Sequence, residues 1–484
     1  MGLSTKKRAS SAALMAALLC TACASVPDLG ERPVPREAAP LTEGLDLPEV
    51  GADQIWPDAR WWEGYGDAQL TQLIEEALAA SPTLDEAAAR VRRAEAIAQQ
   101  AGARLKPSVD ASAQAGAVRI SENIGIPAEI LPSGWNDAGS LSVGLNYDLD
   151  LWGKNRSTLR AAMSDADAAR ADAEAARLAL STGIASTYAE LVRLHAVKDA
   201  AVTNLRIRTD SEKLIQARKT AGLENDAALA RAESGRSSAA ADVSAVDEQI
   251  ELVRNQIAAL TGAGPARGRS VDLPDAPRLR SFGLPEDLGI EMVGRRPDIV
   301  AARLRTEALG SRIKAARADF YPNVRISALI GLGSLGLGNL FGAGSTFGTA
   351  GPAISLPIFS GGRLQGAYRG ARADFDGAVA VYNQTLVQAV REIADVGARQ
   401  RGLTARLGQT RAALAASERA YALIQARYRG GLTPYFEVLS AEDALNANRR
   451  AVADLEASAF ALDVALVRAL GGGFRQPRPE GTQS

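Results

Sequence analysis

Apolar residues recur with two different periods along this chain. Between Ser81 and Leu105 they return every three to four positions, at Leu84, Ala88, Val91, Ala94 and Ala98, which marks one face of an α-helix. Ser81-Pro82 opens that helix as N-cap and first helical residue, and Lys106-Pro107 ends it. The period then drops to two. Val109, Ala111, Ala113, Ala115 and Ala117 alternate with Asp110, Ser112, Gln114 and Gly116. After a loop over 121–138 bearing Pro127, Pro132 and Gly134, Leu141, Val143, Leu145, Tyr147, Leu149 and Leu151 alternate with Ser142, Asn146, Asp148 and Asp150. This predicts strands over 109–119 and 140–151. Each is roughly 10–12 residues, the length with which a tilted strand crosses a bilayer. A soluble, half-buried hairpin alternates in the same way, so the pattern alone leaves both settings open.

From Gly153-Lys154 no proline interrupts the chain before about Thr220, which predicts a helix of roughly 65 residues, about 100 Å. It ends in Leu214-Ile-Gln-Ala-Arg-Lys-Thr-Ala-Gly222-Leu223, and a second helix runs from about Asp226 to Leu260. The same ten-residue ending returns as Leu423-Ile-Gln-Ala-Arg-Tyr-Arg-Gly-Gly431-Leu432. A helix that stops at glycine and reverses is the tip of a helical hairpin, so two tips predict a duplicated unit. Other pairs agree: Arg296-Pro297 with Ser81-Pro82, Tyr321-Pro322 with Lys106-Pro107, Gly331 with Gly116. Strands are predicted again over 323–333, in phase through Val324, Ile326, Ala328 and Ile330, and over 346–358. The long helix restarts at Gly361-Gly362-Arg363. The tips fall at about 220–226 and 428–437.

At the N-terminus, Lys6-Lys7-Arg8 and the apolar run Ala12–Leu19 predict a signal peptide over 1–22. Two cleavage readings compete. Thr21-Ala22-Cys23 resembles the end of a lipobox, leaving Cys23 as a lipidated first residue, although Cys20 stands where that box usually has Leu. The other reading is an A-x-A site cut before Ser25. The lipidated form is preferred because it gives Cys23 a purpose. The remaining organisation is a lipid-anchored tether (23–65), a first unit (66–262), a linker (263–284), a second unit (285–471) and a tail (472–484).

Chemistry adds little. Net charge is −1 with no basic face to invite nucleic acid. The single histidine, His195, reads as an ordinary helix residue, and no cluster of ligands predicts a metal. Gly331-Leu-Gly333-Ser-Leu-Gly336 fits a dinucleotide fingerprint, but no helix opens after it, so it reads as a strand end and loop. No catalytic residues and no cofactor are expected. No segment offers ~18 uninterrupted apolar residues for a transmembrane helix. Four strands left open in lipid would expose two unpaired edges at several kcal/mol per group, so a membrane setting demands oligomerisation. Three copies give twelve strands. A soluble periplasmic coiled-coil protein is the contrasting class.

The set formed by Trp61-Trp62, Ser81-Pro82, Lys106-Pro107, Asp150-Leu151-Trp152-Gly153, Arg296-Pro297-Asp298-Ile299, Phe320-Tyr321-Pro322, Phe359-Ser360-Gly361-Gly362-Arg363 and the two Gly-Leu tips, in this order, resembles the TolC-like outer-membrane factors, specifically the NodT-type efflux lipoproteins. The resemblance covers nearly the whole mature chain. It implies a mixed α/β membrane protein: a homotrimer with a twelve-stranded outer-membrane β-barrel continued by a periplasmic α-helical barrel. The implied function is the passive exit duct of a tripartite efflux pump, with a periplasmic adaptor and an inner-membrane pump of RND or ABC type as partners. The duct of a type I protein-secretion system uses the same fold and is the alternative. The resemblance places adaptor docking at Gly222, Leu223, Arg429, Gly431 and Leu432. It places pore constriction at Glu437 and Ser440, where the family carries acidic residues. Tyr428 matches a tyrosine that latches neighbouring hairpins, although the latch's aspartate position is Ala228 here.

Overall fold

A computed structural model of the chain describes residues 25–42, 56–272 (apart from 122, 124, 126, 128 and 129) and 294–475. The signal peptide, Cys23 and residues 43–55, 273–293 and 476–484 lie outside the described residues. The main elements, in chain order, are α1 (Ala68–Ala80), α2 (Pro82–Ala103), β1 (Ser108–Val118), β2 (Asn136–Asp148), α3 (Lys154–Thr220), α4 (Asp226–Leu260), α5 (Pro297–Ala318), β3 (Asn323–Leu335), β4 (Thr346–Ser355), α6 (Arg363–Arg429) and α7 (Tyr435–Ala469). The duplication is written in the lengths. Helices α2 and α5 have 22 residues each, α3 and α6 have 67 each, and α4 and α7 have 35 each.

The described residues fall into two compact units, and α2, α3, α5 and α6 contribute to both. The first, drawn from 25–35, 90–169 and 302–382, holds an antiparallel sheet of order β1-β2-β3-β4. Its register gathers most of the large apolar residues onto one face. Val109, Leu145, Ala328 and Ala350 stand in one row across the four strands, and Ala111, Val143, Ile330 and Gly348 in another. Tyr147 faces Ile326, and Val324 faces Ile354 on the same side. Val109, Val143, Ile326, Ile330 and Ile354 are all exposed. The opposite face carries Ser112 against Ser142, Asn146 against Ser327, and Asp148 against Arg325. An apolar face this continuous and this open cannot be a water-facing surface of a stable monomer. The opposite face is mostly polar or small, with Val118, Leu329, Leu335 and Phe347 as its larger apolar residues, and the alternation has the dyad pattern of a lipid-facing sheet.

The alternation predicted β2 through Leu151, but the strand stops at Asp148. Leu149 donates one last backbone bond to the Val324 carbonyl, and Asp150 then turns with φ 47°. A left-handed non-glycine residue is strained, and here the turn places a carboxylate under a helix. Asp150 accepts hydrogen bonds from the Asn155 and Arg156 backbone N–H groups at 2.8 and 2.9 Å, capping α3. The glycine-rich run from Gly331 stays in β3 as far as Leu335. A Cβ on Gly331 would meet the Leu141 carbonyl oxygen at 2.5 Å, so close strand approach explains that glycine.

The second unit, drawn from 36–42, 56–89, 170–272, 294–301 and 383–475, is helical. Trp61, Trp62 and Tyr65 form a 3₁₀ turn and pack with Leu70, Leu73, Ile74, Ile184, Tyr188, Ile257, Phe460 and Val464 in one core. Asp67 caps α1 by accepting from Leu70 N–H at 3.0 Å. Its other oxygen accepts from Tyr188 Oη at 2.7 Å, which fastens α1 to α3. Tyr65 Oη donates to Asp463 at 2.7 Å and does the same for α7. His195 lies on α3 with Nε2 3.4 Å from Asp199, one turn away.

Candidate functional site at the hairpin tips

Both tips close by the same backbone device. In the first, Leu223 N–H reaches the Arg218 carbonyl at 2.8 Å and Gly222 N–H reaches Lys219 at 2.9 Å. In the second, Leu432 reaches Arg427 and Gly431 reaches Tyr428, both at 2.9 Å. These are Schellman closures, and the left-handed residue is Gly222 or Gly431, with φ 72° and 73°. The glycines are therefore required by the turn, and Leu223 and Leu432 project from it exposed. Arg429 is exposed beside them.

The two tips lead into differently capped helices. Asn225 caps α4 by accepting from Ala228 N–H at 2.9 Å, whereas Pro434 before α7 supplies no side-chain cap. Glu437 lies in the first turn of α7 and Ser440 one turn on, and both are exposed. Around them Tyr428, Tyr435 and Val438 pack with Ile215, Ala228 and Ala232 in a small core that joins the two hairpins. Tyr428 is only 2 % exposed. Its ring lies under the Arg218 guanidinium at 4.8 Å, and its hydroxyl donates to Glu224 Oε1 at 2.8 Å. Burial, then the bond to Glu224, push the Tyr428 pKa well above its ordinary value. Glu224 is thus the partner that sequence reasoning missed. Ala228, the position the resemblance pointed to, is buried in the apolar cluster and has no group to accept the bond.

A second polar connection lies further along the hairpins. Glu442 on α7 is 1 % exposed, accepts from Ser211 Oγ at 2.8 Å and stands 3.0 Å from Arg208 Nη1; both partners are on α3. Arg208 also reaches Asp443. Burial raises the Glu442 pKa, and the Ser211 bond and Arg208 charge work against that rise. No residue of this set carried a signal in the sequence. None of the tip arrangements supplies a nucleophile–base pair, and no group of His, Cys, Asp or Glu among the described residues could hold a metal ion.

A sheet with one lipid-compatible face, in a chain that also forms paired helical hairpins with closed tips, defines a channel protein of the outer membrane. The chain belongs to the outer membrane efflux protein family, whose description it matches over residues 73–263 and 291–472. It is similar to the multidrug resistance outer membrane protein MdtP of Escherichia coli strain K12, with 30 % identity over 453 residues, 91 % of this chain and 90 % of MdtP. It is 34 % identical over 377 residues to the fusaric acid resistance protein FusA of Burkholderia cepacia, covering 76 % of this chain and 70 % of FusA. Among solved structures, the outer membrane protein VceC of Vibrio cholerae superimposes with a TM-score of 0.83 at 44 % identity, covering 87 % of this chain and all (100 %) of VceC.

Proposed function

We propose that three copies of this chain close their sheets into one barrel in the outer membrane and form the passive exit duct of a tripartite efflux pump. The observation that carries this reading is the sheet itself: an exposed apolar face with β1 and β4 left at its edges. Lipid tolerates neither unpaired edge, and closure by pairing β4 of one copy with β1 of the next satisfies both. Three sheets of four strands make the twelve. The exposed Leu223, Arg429 and Leu432 at the tips receive a periplasmic adaptor, and an inner-membrane pump of RND or ABC type supplies the energy. The names of MdtP and FusA support small molecules as cargo. Cys23 carries the lipid anchor. Mass spectrometry of the mature N-terminus should find a diacylglyceryl-modified Cys23, and an unmodified start at Ser25 would remove the anchor from the proposal.

In the closed duct, the Tyr428–Glu224 bond holds the second hairpin against the first, and Glu437 and Ser440 line the narrowest turn of α7. Recordings from purified protein in planar bilayers test the duct and its gate together. The native chain should show small, cation-preferring conductance. Tyr428→Phe, which deletes the 2.8 Å bond while keeping the ring, should raise open probability several-fold. Glu437→Ala should weaken the cation preference without opening the tips. No channel activity from membrane-extracted oligomer would end the duct reading; unchanged gating in Tyr428→Phe would end the latch.

A further inference from the structure

We propose that a cleft at the helix-side end of the sheet binds the phosphate of an anionic phospholipid from the periplasmic leaflet. The proposal rests on the membrane placement given above. The cleft is an open cavity of about 750 Å³ between the start of α3 and the end of α5. It is lined by Arg156 and Arg160 from α3, by Lys314 and Arg317 from α5, and by Trp152 and Tyr321. Only Arg156 has a carboxylate partner, Asp150, at 3.2 Å. Arg160 donates to the Ser157 hydroxyl at 3.2 Å, and among the described residues Arg160, Lys314 and Arg317 have no carboxylate partner. Like charges one turn apart on each helix, gathered around one cavity, repel one another unless an anion lies among them.

The surroundings identify the anion's carrier. Trp152 and Tyr321 stack at 4.7 Å with an interplanar angle of 21°. Trp152 Nε1 donates to the Pro322 carbonyl at 2.7 Å, which fixes the ring beside the foot of β3. Leu151 and Trp152 are exposed, immediately beyond the strand whose apolar residues make up the lipid-compatible face. An aromatic pair and a basic pocket at the edge of such a face form the arrangement that holds a headgroup at the membrane–water boundary. A free phosphate would use the cations alone and would have no need of the exposed Leu151 or the aromatic pair.

The duplication supplies an internal control. Under the duplication the cleft's positions map onto Gly361, Gln365 and Arg369 at the start of α6 and onto Gln99, Gly102 and Lys106 at the end of α2. Of the four basic positions only Arg160 has a basic counterpart, Arg369, and the aromatic pair is absent. Because α6 and α2 match α3 and α5 in length without these residues, folding of the helices does not require them.

Native mass spectrometry of the detergent-extracted oligomer tests the assignment with phosphatidylglycerol and phosphatidylcholine as probes. The unaltered protein should retain phosphatidylglycerol in preference to phosphatidylcholine. Lys314→Gln with Arg317→Gln should cut that retention by about thirtyfold, from two basic contacts near a membrane surface. Lys314→Arg should keep it, and all three proteins should run as the same heat-modifiable oligomer. Equal retention in the Gln double variant, or displacement of the lipid by millimolar inorganic phosphate, overturns the proposal. If the chain instead stays in solution as a monomer without detergent, the membrane placement fails, a result separate from either lipid outcome.

Discussion

Ile330→Arg is expected to abolish accumulation of the protein in the outer membrane. Ile330 is at the middle of β3, is 64 % exposed, and stands between Val143 on β2 and Gly348 on β4. A basic residue on the lipid side of a barrel strand at this depth costs about 2–4 kcal/mol. In a closed trimer the substitution occurs three times, so the assembly loses on the order of 6–12 kcal/mol, comparable with the whole stability of an ordinary domain. Ser327→Arg is the matched control. It places the same charge on the opposite face, between Asn146 and Gly351, where the barrel interior is polar and wet. Outer-membrane fractionation followed by unheated and heated gels reads both variants. Ser327→Arg should give a heat-modifiable oligomer at near-native abundance, and Ile330→Arg should give none. Native levels of Ile330→Arg oligomer would mean that the two faces of the sheet are assigned the wrong way round.

That experiment probes a feature that is legible in the sequence, because strand faces depend only on period two. Alternation separates the two faces within each strand, and the register, which a one-residue slip would undo, then brings Val109, Leu145 and Ala328 to one side. The tips are legible for a similar reason: Gly222 and Gly431 are demanded by local backbone geometry. Asp150 is less so. Its alternation with Leu149 and Leu151 imitates a strand, and nothing local reveals that its carboxylate caps α3. Glu224 escapes notice because the resemblance directs attention to the Ala228 position, one helical turn further on. The Ser211–Glu442 bond joins residues 231 positions apart on two helices with only weakly segregated apolar faces. Which glutamate of a charged helix is buried depends on how the hairpins meet, and no spacing rule encodes that. The cleft beside Trp152 is half visible: the Asp150-Leu-Trp-Gly motif stands out, but two of its cations come from α5, far along the chain.

Arg208→Leu is expected to destabilise the tip region by about 3–5 kcal/mol at pH 8, since it leaves Glu442 buried without its counter-charge. Water cannot reach the carboxylate to compensate, and the remaining hydroxyl bonds, from Ser211 at 2.8 Å and Tyr421 at 3.5 Å, do not replace the counter-charge. The loss should depend on pH with a definite sign. Glu442 already has a pKa raised by burial, so the folded protein holds that proton more tightly than the unfolded chain does. Stability from this group is therefore greatest at low pH and is lost as pH rises through the folded pKa. Arg208 works against the rise, so removing it moves the folded pKa further up and widens the window towards neutrality. Thermal unfolding of the detergent-extracted oligomer should accordingly show a large deficit at pH 8 that shrinks by pH 5. Adding Glu442→Gln to Arg208→Leu should restore most of the loss at pH 8, because the amide keeps an acceptor for Ser211 without the charge, and should flatten the pH dependence. Asp443 contributes little to either result, as its exposed carboxylate returns to water when Arg208 is gone. A deficit of equal size at both pH values would show that Arg208 acts through packing of its alkyl stem, and the buried ion pair would then have no part in holding the second hairpin to the first.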